Sequence, residues 1–139
     1  MFATKITLFN YLQEQDDYII TLINNVEFQP KYETIPNITE TEDKTKSLII
    51  IPYYKDDTGI YVNKDNNKKY YLKPKQWLKA SDKQYFTFQT DIDFIIVGDY
   101  SYLEDVNLNE LKNSYDDLFM INRVKDFTDE LKHFELIVN

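Results

Sequence analysis

The stretch Thr4-Lys5-Ile6-Thr7-Leu8-Phe9-Asn10-Tyr11, followed beyond Glu14-Gln15-Asp16-Asp17 by Tyr18-Ile19-Ile20-Thr21-Leu22-Ile23, decides the fold class. Its aromatic and β-branched residues recur with period two: Ile6 and Leu8, with Asn10, fall on one face, and Thr7, Phe9 and Tyr11 on the other. The polar quartet between the runs is turn chemistry, so residues 4–23 read as a β-hairpin. Asn24-Asn25 reads as the next turn, because Asn tolerates left-handed backbone at low cost. Val26 to Tyr32 then follows as a third strand that Pro30 pushes to an edge.

Residues 33–46 hold Pro36, several carboxylates and threonines, and only Ile35 and Ile38 as large apolar groups, the pattern of a long exposed loop. Ser47 to Tyr53 is apolar at its centre and reads as a buried strand stopped by Pro52. Lys55 to Gly59 and Lys64 to Asn67 are turns around a short Ile60 to Val62 strand, and Tyr70 to Leu72 resumes the sheet. Pro74 suits the first position of a short helix that presents Trp77 and Leu78 to the core. Tyr85 to Phe88 and Phe94 to Val97 read as strands joined through a Thr90-Asp91 turn. Asn107 caps a helix whose stripe is Leu108, Leu111 and Tyr115. Asp116 to Val124 is a strand, Thr128 starts a turn of helix, and Phe134 to Val138 closes the chain. The sum is one mainly β domain spanning 1–139, a small β-barrel or sandwich with two or three short helices and a long polar loop.

Composition narrows the functions. The chain has 139 residues, 16 Lys+Arg against 24 Asp+Glu, a net charge of -8, no Cys, one His and two Gly. Without Cys there is no disulfide, thiolate nucleophile or Cys-based metal site, and His133 alone makes no His cluster. The negative balance argues against strong nucleic-acid binding and against docking on anionic lipid. Neither a signal-peptide core nor a membrane-length apolar run is visible, so the expectation is a cytoplasmically made protein with no membrane partner. Asn37-Ile38-Thr39 matches a glycosylation sequon of the kind that occurs by chance.

Of the acidic pairs, only Asp91 with Asp93 can point the same way on a strand, and a hard cation needs about six oxygens. No Ser sits in a nucleophile elbow, and glycines at 59 and 98 alone write neither a phosphate loop nor a dinucleotide fingerprint. The expectation is therefore no enzyme, no cofactor and no metal. Tyr53-Tyr54, Tyr70-Tyr71, Tyr85-Phe86 and Tyr100 with Tyr102 are aromatic pairs of the kind a single-strand stacking platform uses, and Lys64, Lys68, Lys69, Lys73 and Lys75 cluster around Tyr70-Tyr71, as either a nucleic-acid or phosphate surface or the solvated rim of a hairpin.

The order of blocks in the second half carries a resemblance. Lys69-Tyr70-Tyr71-Leu72-Lys73-Pro74-Lys75 precedes Tyr85-Phe86-Thr87-Phe88-Gln89 and Asp93-Phe94-Ile95-Ile96-Val97-Gly98-Asp99. Tyr115-Asp116-Asp117 and Lys132-His133-Phe134-Glu135-Leu136 follow. Together with Ile6 to Asn10 and Asn25 to Phe28, this order resembles small head–tail connector, or minor capsid, proteins of long-tailed phages of low-GC Gram-positive bacteria. Thr90-Asp91-Ile92 and Thr128-Asp129 stand where those proteins carry glycine turns, and Phe134 stands where they carry Trp.

The resemblance implies a structural virion protein of the neck, at the stopper or head-completion position, made in the host cytoplasm. It implies a homo-oligomeric ring of six or twelve subunits, with adaptor, portal and tail proteins as partners. Genomic DNA would pass through the lumen without sequence-specific binding. The channel loop would be 33–46, with Glu33, Glu40, Glu42 and Asp43 facing the DNA. Subunit contacts would come from Leu12 to Tyr18 and from Tyr53, Tyr54, Tyr70, Tyr71, Phe134 and Leu136. The alternative drawn from charge and size is a small acidic phage-encoded inhibitor that mimics DNA and binds a host protein; interspersed lysines weigh against it.

Overall fold

Strands β1 (Thr4–Leu12) and β2 (Asp17–Gln29) form the hairpin that the alternation at 4–23 predicts, with Tyr11 opposite Tyr18 and Leu12 opposite Asp17. The computed structural model describes residues 3–30, 46–65, 67–80, 84–129 and 131–139. The expected turn at Asn24-Asn25 is instead a β-bulge inside one long strand. Ile6 pairs with Ile23 but Thr4 pairs with Val26, and Asn25 takes φ 60 to absorb the extra residue. The bulge is held from outside by Asn63: its Oδ1 accepts from Asn24 N–H at 2.8 Å and its Nδ2 donates to the Leu22 carbonyl at 2.8 Å.

Four further strands complete a ring: β3 (Ser47–Pro52), β8 (Phe94–Val97), β9 (Leu118–Phe127) and β10 (His133–Val138). Pairing runs β1–β2–β3–β10–β9–β8 and back to β1, antiparallel throughout. The small, mainly β architecture expected from the sequence is thus the one adopted. Inward positions supply one core, in which Ile6, Leu8, Ile23, Ile49, Ile51, Ile95, Ile121 and Leu136 are all fully buried. Phe9, Phe94 and Ile96 point outward from the ring, and a second cluster covers them. It is built by residues 100–115, with helix α2 (Leu108–Ser114) contributing Leu108 and Leu111. Phe9 and Phe94 stack at 4.6 Å with a 9° interplanar angle. Asn107 caps α2 as predicted, its side chain accepting from Glu110 N–H.

A second sheet, in the order β4 (Tyr54–Lys55), β5 (Ile60–Val62), β6 (Lys69–Tyr71) and β7 (Tyr85–Phe86), lies beyond the end of β3. The β6–β7 pair is parallel, and helix α1 (Pro74–Lys79) lies in its connection. Trp77 is buried and its indole N–H donates to the Tyr85 carbonyl at 3.0 Å. Leu78, expected in the core, is 57% exposed, because a six-residue helix cannot turn two adjacent side chains inward. Among the described residues Thr128 starts no helix, and β9 instead runs on to Phe127.

Gly98 ends β8 at φ 117, and a Cβ there would meet Tyr100 Cε2 at 2.9 Å. Its N–H donates to the Lys5 carbonyl at 2.7 Å and its own carbonyl accepts from the Thr7 hydroxyl, so the turn is pinned to β1. At the Thr90-Asp91 turn, Asp91 itself adopts φ 62.

Asp93, half of the acidic pair considered for metal, is a structural residue. Its carboxylate is fully buried and accepts four N–H bonds: Tyr11 N–H at 2.8 Å and Gln89 Nε2 at 2.9 Å on Oδ1, Asn10 Nδ2 at 2.7 Å and Gln89 N–H at 2.8 Å on Oδ2. Asn10 Nδ2 also donates to the Thr87 carbonyl, and Gln89 Nε2 to that of Tyr11. The network ties β1 to residues 87–93. Burial pushes the carboxyl up to about 6, against the opposite pull of its N–H donors. Asp91 is exposed; its N–H donates to the Ile121 carbonyl at 2.7 Å, while its carboxylate accepts a long bond from Asn122 Nδ2 at 3.4 Å.

Candidate interaction surface

Register in the second sheet places one tyrosine per strand in a line. Tyr54 pairs with Tyr61, Tyr61 with Tyr70, and Tyr70 with Tyr85. Cross-strand partners share a face, so the four rings form a continuous row with centroids 5.8, 5.6 and 6.5 Å apart. Lysines cover it: Lys64 Nζ lies 5.2 Å from the Tyr54 ring centre and Lys68 Nζ 4.5 Å from that of Tyr61. Alternate residues, Val62, Tyr71 and Phe86, pack instead on the main core.

Asp56 locks the row in place. It accepts from the Tyr70 hydroxyl at 2.8 Å, from Thr58 N–H at 2.9 Å and from Lys68 at 3.4 Å. The Tyr70 hydroxyl, aided by the Thr58 and Gly59 amides, holds the Asp56 carboxyl below the usual carboxylate range. Tyr70 and Lys68 are raised in turn, each by its own hydrogen bond to Asp56.

Beside the row, where β3 runs on into β4 and parts from the start of β10, a cleft of about 900 Å³ opens. Pro52, Tyr54 and Tyr61 form its apolar wall, and Lys55, Lys64 and Lys132 its rim. His133 stands at one end, stacked on Phe127 at 4.7 Å with its Nε2 2.9 Å from Glu135 Oε2.

The structure divides the residues expected at subunit contacts. Tyr54 is exposed and Tyr70 partly so, both in the tyrosine row. Tyr71 is half-buried against Phe86, Phe88 and Phe134. Tyr53, Phe134 and Leu136 are corrected to core residues: Phe134 and Leu136 alternate inward along β10, and Tyr53, just past the end of β3, packs on Phe134. The Tyr53 hydroxyl donates to Asp126 at 2.5 Å, and burial, then that carboxylate, raises it well above the usual phenol range. Glu33, Glu40, Glu42 and Asp43 lie outside the described residues. Tyr61, Lys55 and Lys132 were not singled out by sequence reasoning. The alternation Ile60-Tyr61-Val62 was the available signal for Tyr61, whereas the two lysines meet only through the fold.

Among the described residues no group of three or more His, Asp or Glu is arranged to hold a metal ion, and no helix is long and apolar enough to cross a membrane. What the surface offers is contact chemistry: a row of tilted phenol rings, ammonium groups set over them and a sheet edge. No curated protein and no solved structure matches the chain. A family of unknown function, DUF6751, matches residues 1–138, and the chain belongs to that family.

Proposed function

We propose that this protein is a structural component of a phage neck, joining head to tail at the stopper position and assembling into a homo-oligomeric ring. The observation that carries the reading is the row Tyr54, Tyr61, Tyr70 and Tyr85 on a small sheet with open edges. Tyrosine brings large contact area with few rotamers to freeze, and it is enriched where proteins meet. The order of sequence blocks shared with head–tail connector proteins supports the same reading, as does the small β fold.

Function is then assembly without a chemical step. The second sheet contributes the subunit contact, and adaptor, portal and tail proteins are the further partners. Glu33, Glu40, Glu42 and Asp43 face the lumen and repel phosphate, so DNA passes without being held. The DNA-mimic alternative fits less well, since Lys64 and Lys68 cover the most aromatic surface described.

Deletion of the gene from its phage tests the reading. Filled heads that lose DNA and carry no tails are the expected particles, and a normal yield of infectious virions refutes it. Reversing Glu40, Glu42 and Asp43 to Lys tests the lumen role, which an unchanged titre dismisses.

A further inference from the structure

We infer that the cleft beside β4 binds an extended acidic peptide segment of a partner protein, taken up as an added strand along Lys55. The inference does not rest on the virion reading and stands on three features of the cleft.

The first is an open edge. Asp56 and Gly59 exchange main-chain bonds in both directions at 3.0 and 3.1 Å, which fixes the hydrogen-bond parity of the β4–β5 hairpin. Tyr54, two residues on, is the next residue to exchange bonds with its partner Tyr61. Lys55, between them, turns its N–H and C=O away from β5 and toward the cleft. Tyr53 N–H donates to the Lys132 carbonyl at 3.1 Å, and among the described residues the ladder with β10 goes no further on that side. A donor and an acceptor therefore stand at a sheet edge with a groove in front of them, the arrangement an incoming strand completes.

The second feature is charge. The chain carries 24 acidic against 16 basic residues, yet the described lining of this cleft holds Lys55, Lys64, Lys132 and His133 and no carboxylate. The titratable groups just behind it, Glu135 against His133 and Asp126 against the Tyr53 hydroxyl, are already engaged. Complementarity therefore selects a negatively charged occupant. The third feature is the wall: Pro52, Tyr54 and Tyr61 offer an apolar bed for one side chain of that occupant, while residues on either side of it reach the lysines.

A peptide uses all three features. A nucleic-acid strand would use the rings and lysines but has no chain of N–H and C=O groups for the edge, and the net charge of -8 repels its successive phosphates.

The test uses the full chain and a fluorescein-labelled, N-acetylated peptide of sequence Glu-Leu-Glu-Tyr-Glu-Val-Glu. The same peptide with Lys for every Glu and a labelled oligo-dT are run beside it, all by anisotropy. Saturable binding of the acidic peptide, weakened about tenfold between low and 0.5 M salt, is expected. Lys64→Glu combined with Lys132→Glu should weaken it about tenfold or more. Both side chains are exposed, so the fold survives the change, and near-UV circular dichroism checks this. Tyr54→Ala provides a second, uncharged variant that should also weaken binding.

Strand addition has its own signature: the Lys55 amide should exchange with solvent about tenfold more slowly in the saturated complex, while the Ile60 amide is unchanged. Absence of acidic-peptide binding, indifference to the charge reversal, or an unprotected Lys55 amide overturns the inference. Preference for oligo-dT overturns it in favour of a nucleic-acid surface.

Discussion

Replacing Asp93 by Asn should alter both the stability of the protein and its dependence on pH, and the two effects have separate causes. Each carboxylate oxygen of Asp93 accepts two N–H bonds. An amide of either orientation turns its NH2 toward two donors, so two buried bonds are lost, at a cost of about 2–4 kcal/mol at pH 7. The second effect follows from the carboxyl being raised from 3.8 to about 6 by burial. The folded state then binds the proton more tightly than the unfolded state, so the stability linked to this group is fully present below pH 3.8 and is lost as pH rises through 6. The limit is two pK units at about 1.4 kcal/mol each, or about 3 kcal/mol, of which about 1.3 kcal/mol falls between pH 7 and pH 5. Urea unfolding of wild type and Asp93→Asn at pH 5, 6 and 7 measures it, since other titrating groups cancel in the difference. The stability gap between the two proteins should widen on acidification. A gap that stays constant or narrows refutes the raised carboxyl, and a variant as stable as wild type at pH 7 refutes the four-donor network.

Further outcomes follow from single contacts. Phe134→Ala removes a ring packed on Tyr53, Tyr71 and Phe88 at 4.7, 4.8 and 5.2 Å, and should cost about 3–5 kcal/mol in urea unfolding. Gly98→Ala forces a Cβ to 2.9 Å from Tyr100 at φ 117, and should cost about 1–3 kcal/mol by the same assay. Asn25→Val places a β-branched residue at φ 60 in the bulge and should lose about 1–2 kcal/mol, whereas Asn25→Gly should be close to neutral. Tyr70→Phe removes the hydroxyl that lowers Asp56, so the Asp56 titration followed by NMR should move up toward the ordinary carboxylate range with the fold unchanged.

Legibility in the sequence tracked how local each decision was. Alternation at Thr4–Leu12 and after Asp17 announced its hairpin, and Asn107 and Pro74 announced their helices, because strand parity, caps and a fixed proline φ act within a few residues. Asn24-Asn25 was misread for an equally physical reason. A left-handed Asn serves a turn and a bulge alike, and only the pairing of β1 with residues on both sides of it decides between them. Tyr53 and Tyr54 show the same limit: adjacent aromatics must face opposite ways, but which of them faces inward depends on where β3 sits in the ring. The tyrosine row was half visible as aromatic pairs along the chain. Its order depends on the parallel β6–β7 contact made across α1, which no local pattern encodes.

An acidic chain that gathers lysines at one cleft constrains how copies of it can meet. Two copies approaching through the same cleft would bring Lys55, Lys64 and Lys132 against their own counterparts, and like charges directly opposed are unfavourable. A symmetric pair through that surface is disfavoured on charge alone. A contact that sets the cleft of one copy against an acidic surface of the next is favourable, and it uses two different patches of the same molecule. Heterologous contacts of that kind propagate until the rotation closes them, which is how a ring forms without any symmetric interface. The proposed assembly and the acidic-peptide cleft are independent claims with independent tests. If both hold, the net charge of -8 has a physical role: it disfavours contacts between like acidic surfaces and leaves the lysine-rimmed cleft as a place where an acidic surface of another copy can approach.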